Sequence, residues 1–157
     1  VNVLCAPNSP EEADAILPEH LEMSIQAIRD QFDYTILDLP PLLDDTTIAA
    51  IEEADYIWFV TNPEISTLKN SKVCMNILQN LNLDEKIRIV LNKDDDSSIK
   101  KDNVRKVLGT DIELAIPYDY NTAVTAVNRG KPFVLSSPRS KASKAFEKYV
   151  KKYDGHR

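Results

Sequence analysis

Glycine is almost absent from the 157 residues: Gly109, Gly130 and Gly155 each stand alone, so no Gly-rich phosphate loop of the P-loop or dinucleotide type can be built from them. Cysteine is as scarce. Cys5 and Cys74 match no metal-ligand spacing, and His20 and His156 are the only imidazoles, which leaves almost nothing for a zinc site or a His-based nucleophile relay. The expectation for the two thiols is that they are reduced and buried, in a cytoplasmic protein. A basic surplus is lacking too. The chain has 19 Lys+Arg against 25 Asp+Glu, and a net charge of −6 argues against direct nucleic-acid binding. No apolar run approaches the ~20 residues of a membrane-spanning helix, and the first residues lack the pattern of a signal peptide.

What is present is ordinary globular composition, 43% hydrophobic and 28% charged. The length suits a single domain, 1–157, burying roughly 68–70% of its unfolded surface. Short apolar runs alternate with helical patterns. Strands are expected at Val3–Ala6, Tyr34–Leu37, Tyr56–Val60, Ile87–Leu91 and Ile112–Ile116, the central ones apolar at consecutive positions as in strands covered on both faces. Helical spacing joins Leu21, Ile25 and Ile28, and then Cys74, Ile77, Leu78 and Leu81 after a Ser66 cap. Val104, Val107 and Leu108 lead to a stop at Gly109, and Val124 and Val127 to one at Gly130. A last helix places Ala142, Phe146, Tyr149, Val150 and Tyr153 on one face and lysines on the other. The class is therefore α/β: a mainly parallel sheet with helices on both faces. Arg88 and Glu113 each take the second position of a neighbouring strand and are expected to face one another.

Ligands of open parallel sheets bind beyond the carboxyl ends of the strands. The first such end gives Asp38-Leu39-Pro40-Pro41, then Asp44-Asp45-Thr46; an acidic residue at a buried strand tip suits a magnesium–phosphate site. For Asp44 and Asp45 a helix cap is the better reading, and for Asp38 the functional one. Asn62 and Asn92 end the next two strands, and an Asn can both donate to and accept from an adenine edge, although loop asparagines are commonly turn formers. The fourth end gives Pro117-Tyr118-Asp119. Asp94-Asp95-Asp96 lacks the spacing of a calcium loop and reads as a solvated turn. The lysines of the last helix raise contact with a membrane surface, but docking of its apolar face on the sheet is favoured.

With these residues in order, the sequence resembles the MinD/ParA family of deviant P-loop ATPases. Phe32-Asp33-Tyr34-Thr35-Ile36-Leu37-Asp38-Leu39-Pro40-Pro41 is similar to its Walker B segment, and Val90-Leu91-Asn92-Lys93, Ile116-Pro117 and Ala126-Val127-Asn128-Arg129-Gly130-Lys131-Pro132 follow in the family's order. Asp44-Asp45-Thr46-Thr47 and Ser136-Ser137-Pro138-Arg139-Ser140 resemble the CpaE/TadZ branch, which serves Flp/Tad pilus assembly at a cell pole.

The resemblance implies a P-loop NTPase fold incomplete at its N-terminal side, with the phosphate-binding loop and its lysines lying before the segment seen here. Asp38 would be the Walker B carboxylate holding a water on Mg²⁺. Pro40 to Asp45 would form the switch, Asn92 would read adenine, and Pro117, Tyr118 and Asp119 would pack beside the base. The complete domain would take ATP and Mg²⁺, form a homodimer through its nucleotide face, meet pilus or polar localisation proteins, and work in the cytoplasm with recruitment to a pole or the inner membrane. For this chain alone about three to four phosphate charges would stay unscreened, so neither tight nucleotide binding nor hydrolysis is expected. The other reading is a non-enzymatic localisation scaffold that has lost nucleotide binding.

Overall fold

The computed structural model describes residues 1–7, 9–95 and 99–154. It divides into two compact units, Val1–Asp55 and Tyr56–Arg157.

In the first unit, α1 (Pro10–Asp14) starts where the Ser9 side chain accepts the Glu12 N–H. Helix α2 (Pro18–Arg29) opens with Pro at its first position and with His20 Nδ1 accepting the Leu17 N–H at 3.2 Å. Helix α3 (Asp45–Glu53) is capped by Asp44, whose Oδ1 accepts the Thr47 N–H at 2.8 Å. Helices α2 and α3 pack together, and Arg29 closes the pair with a 3.0 Å ion pair to Glu53 and a bond to the Glu53 carbonyl. The expected strands at Val3–Ala6 and Tyr34–Leu37 do not form. A strand exists through its ladder, and neither run has a pairing partner among the described residues. Ile36 accordingly stands 90% exposed.

The second unit carries the sheet. Strands β1 (Ile57–Thr61), β2 (Ile87–Asp94) and β3 (Ile112–Pro117) are parallel and lie in the order β1-β2-β3. The crossovers are α4 (Ile65–Asn80) with a single 3₁₀ turn at Asp84–Lys86, and then α5 (Lys101–Leu108). Gly109 ends α5 in the left-handed conformation at φ 78°, where a Cβ would be strained, so this stop is as expected. Helices α6 (Tyr120–Asn128), α7 (Phe133–Ser136) and α8 (Lys141–Asp154) follow.

Central β2 is buried through its first part, where Ile87, Ile89, Val90 and Leu91 lie in the core, and opens at Asn92, Lys93 and Asp94. One face of the sheet meets α8, where Val90, Leu114 and Ile116 pack with Ala142 and Tyr149, and the Trp58 ring meets Tyr149 edge-on at 5.2 Å. The opposite face meets α4, where Thr61 and Ser71 share a buried 2.7 Å hydroxyl–hydroxyl bond. Helices thus cover both faces. Edge strand β1 is less covered than consecutive apolar residues suggest, with Trp58 and Val60 exposed.

Several side-chain expectations are corrected. Helix α4 is preceded by Glu64, not capped by Ser66. Its buried stripe is Leu68, Ser71, Met75 and Leu78, while Ile77 and Leu81 are exposed, because the Thr61 hydroxyl holds Ser71 inward. Neither cysteine is buried: Cys5 is exposed on the unpaired first segment, and Cys74 sits half-buried beside the stripe of α4. Val150 is exposed on α8 rather than part of its docked face. Arg88 and Glu113 do not pair. A register shift between Ile89 and Val90 separates them, so Arg88 lies over the Tyr56 ring at 5.1 Å and donates to the Glu85 carbonyl. Glu113 instead accepts from Lys152 of α8 at 3.2 Å. Asp94 ends β2 and binds Lys101 at 2.8 Å rather than standing in a solvated turn; Asp96 and the side chain of Tyr153 lie outside the described residues.

Candidate nucleotide face

Three parallel strands put their carboxyl ends on one rim, and Asn62, Asn92 and Pro117 fall there. The local path of β2 decides how they meet. After Leu91 the regular ladder breaks, and Lys93 takes a left-handed φ of 55°, uncommon for a residue with a side chain. The strand resumes contact when Asp94 comes opposite Pro117, and the Tyr118 N–H donates to the Asp94 carbonyl at 2.9 Å. Past the kink it is Asp94, two residues after Asn92, that meets Pro117 and Tyr118.

Asn92 is half-buried, and its Oδ1 accepts the Lys93 N–H at 3.0 Å. That bond fixes the amide plane. Its Nδ2 has no partner among the described residues, so a donor and the second lone pair of Oδ1 are available together. A base offering one ring-nitrogen acceptor beside an amino group matches that edge. Past Pro117, the exposed Tyr118 and Tyr120 rings lie 6.4 Å apart, tilted by 41°. Asp119 precedes α6 but its side chain makes no capping bond, leaving the carboxylate uncommitted to the helix. Nearby, an open cavity of about 380 Å³ is lined by Asp94, Ile99, Lys101, Asp102 and Arg105 among others. Its charges are largely internal, Lys101 to Asp94 and Arg105 to Asp102.

Asp38 and Pro40 belong to the Val1–Asp55 unit, both exposed in irregular backbone before α3. Among the described residues no group of three His, Cys, Asp or Glu side chains could hold a metal ion by itself. One carboxylate is still a fitting donor for Mg²⁺ in a nucleotide complex, since that ion keeps several waters and draws its other ligands from phosphate. Asp44 is spent differently. The Thr47 N–H holds its carboxyl below the ordinary carboxylate value, which suits the cap role expected for it.

Sequence reading missed three features: the left-handed Lys93, the Thr61–Ser71 pair and the Tyr118–Tyr120 pair. Only the last had a signal, in Tyr118-Asp119-Tyr120. A lysine carries no mark of positive φ, and a buried hydroxyl pair is joined only by the crossover.

A parallel sheet with helices on both faces and its polar residues gathered at the carboxyl rim defines the fold of the MinD/ParA P-loop NTPases. A ParA family ATPase from Chlorobium tepidum TLS superposes with a TM-score of 0.84 at 26% identity, over 89% of this chain and 58% of that one. The MinD cell division ATPase of Pyrococcus furiosus gives 0.79 at 27%, over 95% and 63%. MinD of Pyrococcus horikoshii OT3, solved with Mg-ADP, gives 0.78 at 25%, over 93% and 60%. In sequence, the septum site-determining protein MinD of Bacillus subtilis is 27% identical over 147 residues, 90% of this chain and 54% of that protein. The chain thus spans about half the length of the curated relatives it matches. The AAA domain family matches residues 9–93, and the chain belongs to this family, as a partial MinD/ParA-like ATPase domain. No described helix is long and apolar enough to cross a membrane.

Proposed function

We propose that the chain supplies the Walker B, switch and adenine-side residues of a CpaE/TadZ-type ATPase that serves polar localisation or assembly of Flp/Tad pili. Asn92 reads the adenine edge through Nδ2 and Oδ1. Pro117, Tyr118 and Asp119 flank the base. Asp38 holds a water toward Mg²⁺, and Pro40 to Asp45 form the switch. Bound ATP with Mg²⁺ brings the phosphates and the polarised terminal phosphoryl group; the chain's own residues orient the base and place the water. Two copies of the complete domain meet across the nucleotide face, in the cytoplasm at a pole or the inner membrane.

The observation that carries this reading is the kink at Lys93. It spends one lone pair of Asn92 on the backbone, two residues before Asp94 meets Pro117 and Tyr118. The pilus assignment is supported by Asp44-Asp45-Thr46-Thr47 and Ser136-Ser137-Pro138-Arg139-Ser140.

Saturation-transfer NMR with adenosine, which needs no phosphate site, tests the base pocket. Transfer to adenosine exceeding that to guanosine, and lost in Asn92→Ala, is the expected result. Equal transfer to both nucleosides would remove the adenine assignment. Titration calorimetry with ATP and Mg²⁺ should show no binding at micromolar concentrations. Disrupting the gene in its own host should remove surface pili; unchanged piliation would end the pilus assignment alone.

A further inference from the structure

Charge along the chain is segregated far beyond its net value. Residues 1–55 hold 13 Asp and Glu against Arg29 alone, while residues 129–152 hold eight Lys and Arg against Glu147 alone. In the basic stretch, Lys151 and Lys152 are engaged by Glu147 and Glu113. Arg129, Lys131, Arg139, Lys141, Lys144 and Lys148 are exposed and form no ion pair among the described residues.

The elements carrying them are joined by contacts and hydrogen bonds. Helix α7 contacts both α6 and α8. At the α7–α8 corner the buried Ser143 hydroxyl donates to the Ser137 carbonyl at 2.7 Å, and the Ser140 hydroxyl donates to Ser143 Oγ at 2.9 Å while accepting the Ser143 N–H. This network fixes the Ser136–Ser140 motif, which the nucleotide face does not use. The same elements expose apolar side chains, most strongly Leu135 of α7 at 68% and Val127 of α6 at 80%.

The complement exists in the same chain. Around α1 and α2, Glu11, Glu19, Asp30 and Asp33 are exposed together with Leu17 and Met23. Aliphatic tips add nothing to a phosphate backbone, which disfavours nucleic acid. A lipid surface would want a free amphipathic helix, and α8 has already committed Ala142 and Tyr149 to the sheet.

We propose that the basic α6–α8 surface of one copy docks the acidic α1–α2 segment of a second copy. Each copy carries one patch of each kind, so the contact joins unlike surfaces of two copies. Cations set the attraction, and Leu135 and Val127 meet the Leu17 and Met23 side.

Sedimentation velocity of the chain in about 0.05 M and about 0.5 M NaCl tests this, since added salt shortens the screening length several-fold. Self-association at low salt that weakens at least about tenfold at high salt is expected. Lys141→Glu/Lys144→Glu/Lys148→Glu and Glu19→Lys/Asp30→Lys/Asp33→Lys should each be monomeric, and mixing the two should restore association through swapped charges. Circular dichroism of each variant checks folding, and the salt series on the unaltered chain stands without them. A monomer at low salt overturns the proposal, including one that binds phosphatidylglycerol vesicles or duplex DNA instead. Association unchanged by folded charge-reversed variants overturns it as well.

Discussion

The two compact units hold similar kinds of apolar run and do different things with them. In Tyr56–Arg157 three runs become strands, because β2 has a neighbour on each side and a helix on each face. In Val1–Asp55 the runs Val3–Ala6 and Tyr34–Leu37 remain irregular, and order comes from α2 against α3, with Ile25, Ala49, Ala50 and Ile51 buried. Hydrophobic residues alone do not make a strand. Backbone N–H and C=O groups must find a ladder, and among the described residues neither of these runs gains one.

The sharpest way to break this contrast is to cut the same amount from each side. Leu91→Ala, at a fully buried position of β2, should cost ~2–5 kcal/mol in denaturant unfolding. Ile36→Ala should stay within about 0.5 kcal/mol of the parent. Comparable losses at both sites would mean that Tyr34–Leu37 is packed in solution.

A middle-sized effect belongs to the Thr61–Ser71 pair. Ser71→Ala leaves the Thr61 hydroxyl buried without its partner and should cost ~1–3 kcal/mol, with part recovered in the double variant Thr61→Val/Ser71→Ala. A double variant no better than the single would show that α4 is seated by its leucines and Met75 alone.

A smaller effect is expected at the Asp44 cap. Its carboxyl value is lowered in the folded chain by the Thr47 N–H, so the stabilisation is present above the unfolded value and lost as pH falls through the lowered one. Helicity should decline in acid, below about pH 4. Asp44→Asn keeps a capping acceptor without a charge and should flatten that acid limb. An unchanged acid profile would shift the effect to Glu11 or Glu147, whose carboxyls are also held low, by hydrogen bonds with the backbone and Ser9 and with Lys151 respectively.

The smallest lesion sharpens the comparison in time rather than energy. Amide hydrogen exchange should be slowest at Ile89–Leu91 and fast across Tyr34–Leu37. Equal protection would show that the second run is laddered to something in solution.

The sequence by itself determined the local matters: the α/β class, three of five strands, the Gly109 stop, the Asp44 cap and the placing of Asn62 and Pro117 at strand ends, whereas Asn92 lies inside β2, which runs on to Asp94. Each is written within a few residues, in hydrophobic runs, capping oxygens and the residue that takes positive φ most readily. Tertiary structure alone decided which runs gained a ladder, which stripe of α4 turned inward, and that Arg88 and Glu113 part company across a register shift. It also decided the left-handed Lys93, after which Asp94 meets Pro117 and Tyr118. These depend on a neighbour distant in sequence supplying a hydrogen bond or a covering side chain, and no local pattern records whether that neighbour is there.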